Sequence, residues 1–167
     1  MTDTLTLGKK LIPLHYIAFV EPFEPSEHTR IRTEKEFKAR VVLIDRESAL
    51  TEQTTEQFAE AHGFRRLEED GVATNPVVHF RVESFVAGDG FQPRKPYRSR
   101  LLWRDHDGNT QSKLLLSEPA VVLRIAVRGE SGEDPDAEAE AGTRRTLVPP
   151  ARKRRSRRRD APRASPQ

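Results

Sequence analysis

"RSRLLWRDHDGNTQSKLLL", residues 98–116, decides how the chain is built. Asp107-Gly108 is a favoured pair for a two-residue turn whose twist matches the strands on either side, so the stretch reads as a β-hairpin. A two-residue turn pairs Trp103 with Ser112, Leu101 with Leu114 and Arg104 with Gln111. Trp103, Leu101, Leu114 and Leu116 then share one face, and Arg98, Arg100, Arg104 and Lys113 the other. One face belongs to a core and the other is strongly basic.

The segments before the hairpin carry the same two-residue period. "VVHFRVESFV" (77–86) alternates Val78, Phe80, Val82 and Val86 with His79, Arg81 and Glu83, as in a strand with one wet face. "LIPLHYIAFVEPFEP" (11–25) is rich in residues that favour a pleated surface, with Pro13 as a break and Pro22 and Pro25 as its end. "HTRIRT" (28–33) is a short strand candidate. "FKARVVLIDR" (37–46) contains the apolar run Val41–Ile44, which implies burial on both faces. "AVVLRIAVRG" (120–129) reads as a last strand after Pro119. One helix interrupts the series: in "TTEQFAEAHG" (54–63), Thr54 and Gln57 have capping-box spacing and Gly63 is placed to stop it. Six or seven strands and one short helix predict a mostly β fold, a compact antiparallel barrel or sandwich.

The charge is unevenly placed. Residues 130–142 hold six acids and no base, and 143–167 hold ten Lys or Arg against Asp160, so 1–129 is left with nineteen of each sign. The basic pI therefore belongs to the tail. After Gly129, Leu147 and Val148 are the only large apolar residues, too few to offset the entropy of ordering the segment. The expected organisation is a globular domain over 1–129, an acidic disordered linker over 130–142 and a basic disordered tail over 143–167.

The sequence has no cysteine, which excludes disulfides and thiolate chemistry. No run approaches the ~18 apolar residues of a membrane span. Lys9-Lys10 before Leu11–Val20 has the outline of a leader, but Pro13 and His15 interrupt it and an early strand explains it better. The expected location is cytoplasmic, with no membrane partner. The five histidines (His15, His28, His62, His79, His106) lack metal-ligand spacing, and there is neither a nucleophile elbow nor a glycine-rich phosphate loop. Asp105-His106-Asp107-Gly108-Asn109 lacks the sixth-position glycine and twelfth-position glutamate of a calcium loop, so it reads as a turn. No catalytic residue, metal or cofactor is expected, and the protein is read as a non-enzyme.

Two functions fit this pattern. The first is association with DNA or RNA without sequence preference. Arg94, Lys95, Arg98, Arg100 and Arg104 would form a basic sheet face, and Arg152, Lys153, Arg154, Arg155, Arg157, Arg158 and Arg159 a charged tail that releases counterions from phosphates. The alternative is a protein-interaction or accessory module whose charged tail serves solubility. The opening "LIPLHYIAFVE", with the strands and short helix after it, resembles the LytTR-type DNA-binding domains of bacterial regulators. That likeness rests on element order and leaves out the hairpin and the last strand.

Overall fold

The computed structural model describes residues 3–24 and 35–130. The "HTRIRT" segment and the charged stretches after Glu130 lie outside the described residues. The chain divides into Met1–Gly132 and Glu133–Gln167, and every described residue belongs to the first unit.

The described residues form ten strands in three antiparallel sheets, with two short helices: the mostly β, sandwich-like class that the alternation predicts. β1 (Thr4–Leu7) and β2 (Lys10–Pro13) make a two-stranded ribbon. Pro13 ends β2, a 3₁₀ turn covers Leu14–Tyr16, and β3 (Ile17–Pro22) follows. β3 sits at the centre of a five-stranded sheet with β4 (Ala39–Leu43), β5 (Ser48–Thr51), β6 (Arg65–Leu67) and β7 (Val72–Thr74), in the order β5-β4-β3-β7-β6. The third sheet orders β10 (Thr110–Leu115), β9 (Ser99–Arg104) and β8 (Arg81–Ser84).

The five-stranded sheet is covered on both faces, which explains the unbroken apolar run of β4. A register irregularity between Ile17 and Phe19 lets Ile17 and Val20 face one side and Ala18 and Phe19 the other. On the first side, Ile17, Val20 and Val41 pack on Phe58 and Ala59 of α1 (Thr55–His62). Both halves of the Thr54–Gln57 capping box form, and Gly63 closes the helix at φ 70°. On the second side, Phe19 and Val42 join Phe80, Leu101, Trp103 and Leu115 of the three-stranded sheet. Trp103 is 2% exposed, meets Phe19 and Phe80 edge-on and donates its indole N–H to the Ile44 carbonyl at 2.9 Å.

Three expectations need correction. Residues 119–127 are helical, not a closing strand: α2 (Pro119–Val122) runs into a π-helical turn over Leu123–Val127. Pro119 opens it, where a proline has no amide to lose. Val122 and Ala126, one helical turn apart, are buried in the core. Arg65 donates to the Ala126 and Val127 carbonyls and so ties down the helix end. Second, the alternation over 77–86 holds in burial for Val78, Phe80 and Val82, but only 81–84 is strand and Val86 is 85% exposed. Third, the hairpin pairs Arg104 with Thr110, Trp103 with Gln111 and Leu101 with Lys113, one residue off a two-residue turn. The loop is instead closed by Asp105 N–H to Asn109 C=O and Gly108 N–H to Asp105 C=O, with Gly108 at φ 83°. That is the three-residue form with a left-handed glycine.

Candidate nucleic-acid interface

Directly paired residues of an antiparallel sheet share a face. The registers of β8, β9 and β10 therefore place Arg81 beside Leu102 and Ser112, Glu83 beside Arg100 and Leu114, and Arg104 beside Thr110. Arg81, Arg100 and Arg104 lie together on the side turned away from Leu101, Trp103 and Leu115. Among the described residues none of the three has an ion-pair partner; Glu83 lies across from Arg100 without pairing with it. Arg100 is half-buried, its guanidinium 5.4 Å from the centre of the Phe85 ring. Phe85 meets Phe91 edge-on at 6.3 Å, and Phe91 is 53% exposed. The aromatics beside the arginines are thus Phe85 and Phe91, while Trp103 is core.

The other residues of the predicted basic face separate. Arg98 is held by Glu69 and Glu118 at 3.4 and 3.1 Å, so its charge is locally balanced. Arg94 is exposed in the connector before β9. Lys95 and Tyr97 line a cavity on the β10 side. Lys113 leaves the arginine face altogether, as the shifted register requires. Arg152, Lys153, Arg154, Arg155, Arg157, Arg158 and Arg159 lie outside the described residues.

No sequence pattern signals the cleft next to this face. Because 77–80 is not strand, the sheet is open at the start of β8. A cleft of about 570 Å³ forms there among His15, Val77, Val78, Phe80 and Trp103, with Arg81 and Arg104 also on its lining. Asn75 fixes the surrounding backbone. It is 3% exposed, its amide donates to the Leu14 and Ile17 carbonyls at 2.8 and 2.7 Å, and its oxygen accepts from Val77 N–H. The Tyr16 ring bridges His15 and His106, with centroids 4.7 and 4.5 Å away.

A second polar cluster lies between the sheets. Glu21 on β3 accepts from Arg40 Nε at 2.8 Å, and also from Arg40 Nη2 and Lys113 Nζ. Lys113 lies 4.8 Å from the centre of the Phe19 ring. Burial pushes the Glu21 carboxyl up, but the Lys113 and Arg40 charges and the hydrogen bonds they donate outweigh it and hold it below the ordinary carboxylate value.

The Asp105 carboxylate is occupied by its own hairpin. It accepts from Gln111 Nε2 and the Asn109 N–H, both at 2.8 Å, and from the Asp107 N–H at 3.0 Å. These bonds, that from Gln111 foremost, lower its pKa. Among the described residues no three His, Asp or Glu side chains are grouped to hold a metal ion, and no helix is long and apolar enough to cross a membrane. No known protein family, curated protein or solved structure matches the chain, and the LytTR likeness gains no support there.

Proposed function

We propose that the protein associates with nucleic acid through the outer face of the β8–β9–β10 sheet, with the arginine block at 152–159 adding sequence-independent attraction. One observation carries this reading: Arg81, Arg100 and Arg104 share a face without carboxylate partners, and two of them line an apolar cleft. Arginines unclaimed by protein acids are free to neutralise phosphates, and a cleft of this character accepts a base only once it has left its stack. Unpaired strands are therefore the favoured partner.

The test is fluorescence anisotropy with a single strand and a duplex of the same sequence, across about 50 to 200 mM salt. The full chain should bind the single strand more tightly at each salt concentration. Replacing Arg81 and Arg104 by alanine should weaken binding and reduce the single-strand salt slope by about 0.7 for each phosphate that is no longer neutralised. No binding by the full chain at low salt, or an unchanged slope in the double variant, overturns the proposal. The alternative, a protein-interaction module, draws on the exposed Val86 and Phe91 of the connector after β8, and the first of those outcomes favours it.

A further inference from the structure

The cavity beside β10 stands apart from that interface. β10 is the edge strand of its sheet. On its outer side the Ser112 carbonyl accepts from Arg46 and the Leu116 N–H donates to Asp70, while Leu114 between them faces the cavity. The space measures about 450 Å³ and brings together Arg40, Arg46 and Lys113 with Ser48, Tyr97 and the backbone of β10 at Ser112. Among its described lining residues Glu21 is the only acid. Three positive charges thus face one negative charge, with Lys113 and Glu21 at 20% and 12% exposure, Arg40 at 37% and Arg46 exposed at the rim. Glu21 is shared by Arg40 and Lys113, so positive charge stays in excess along the cavity until an anion joins it. The neighbouring cavity adds no such excess, because Lys95 there is accompanied by Glu24 and Asp70. Asp70 is also engaged by Ser117 N–H and Oγ.

A second observation is independent of charge. Arg46, in the turn between β4 and β5, has φ 74°, and among the described residues it alone is a non-glycine with positive φ. Glycine or asparagine would hold that turn with less strain. The turn instead carries an arginine that reaches across to the other sheet. With one N–H engaged by Ser112, the rest of its five-donor fork is left for a ligand.

We propose that this cavity is a binding site for a phosphate monoester group, in which Arg40, Arg46 and Lys113 supply charge and Ser48 and Tyr97 supply hydroxyl donors. Glu21 fixes Arg40 and Lys113 in place, and the remaining charge of about +2 matches a dianion better than a carboxylate.

The test is an NMR titration of the full chain with inorganic phosphate against sodium chloride of equal ionic strength. Saturable shifts are expected at the amides of Arg46, Ser112 and Leu114. Arg46→Gly removes the guanidinium and relieves the positive φ, so phosphate affinity should fall about tenfold or more while the melting temperature holds or rises. Tyr97→Phe, which keeps the ring, should also weaken phosphate binding without moving the melting temperature. AMP and phosphoserine distinguish the source: binding of one identifies a nucleotide or a phosphorylated side chain, and binding of both identifies the phosphate group alone. Shifts confined to residues 152–159, wild-type phosphate affinity in both variants, or failure of all three probes overturns the site.

Discussion

Trp103→Phe is the sharpest test of how the two larger sheets are joined. The indole N–H donates to the Ile44 carbonyl at 2.9 Å, and the ring lies between Phe19 and Phe80 at 5.6 and 6.0 Å. Phenylalanine keeps one six-membered ring and loses the donor. Leaving the carbonyl unsatisfied costs about 1–3 kcal/mol. The void left by the pyrrole part of the ring adds about 1 kcal/mol. The expected loss is roughly 3 kcal/mol, or roughly 10 °C in melting temperature for a domain of this size. Urea unfolding followed by far-UV circular dichroism measures it without relying on the indole signal. Trp103 is the only tryptophan, so wild-type emission should be blue-shifted when folded and move to the red on unfolding. A loss below about 1 kcal/mol, within the range of surface substitutions, would refute the buried, hydrogen-bonded placement.

Glu21 should impose an acid limit on stability. Its folded pKa lies below the ordinary value, so its contribution is complete above the unfolded carboxylate value of about 4.3 and is lost as pH falls through the folded one. Urea melts from about pH 6 to 3 should show this component in wild type and not in Glu21→Gln, which at neutral pH should itself lose about 2 kcal/mol because Arg40 and Lys113 are left facing each other. Asn75→Ala removes the donor to two carbonyls and the acceptor for Val77 N–H, and should cost about 3 kcal/mol by denaturant unfolding. Gly108→Val forces a β-branched residue to φ 83°, and should cost about 2 kcal/mol with faster amide exchange at Asp105 and Gly108.

What the sequence made legible is what short-range chemistry determines. The cap of α1 lies within Thr54–Gln57 and its stop at Gly63, so both ends could be read without knowing what the helix packs against. The inward order Val78, Phe80, Val82 survives even though the strand itself is shorter, because burial follows the same period as pairing. β6 and β7 are three residues each, too short to carry a period, and exist through pairing with one another and of β7 with β3. The terminal run failed for another reason. "AVVLRIAV" is apolar at almost every position, and such a run suits a buried strand or a buried helix equally. Packing of Val122 and Ala126 against the core, with Arg65 closing the end, decided between them.

The hairpin register has the larger consequence, because one residue changes which charges share a face. Asp107-Gly108 can serve a two-residue turn, but Asp105 lies just before it, and its carboxylate gathers the Asp107 and Asn109 amides into the longer loop. The slip carries Lys113 from the arginine face to the inner side, opposite Leu101, and lets Leu115 fill the core in place of Leu114 and Leu116. A lysine there needs an acid close by. Glu21 provides one from 92 positions earlier in the chain, a separation that no motif spans. Arg40 joins from β4 and Arg46 from the turn after it. Lys113, the charge that leaves the outer face, is therefore one of the three cations of the proposed phosphate cavity, and the two proposed sites are separable. Substitutions at Arg81 and Arg104 should leave phosphate binding intact, and Arg46→Gly should leave the arginines of the outer face free to bind a strand.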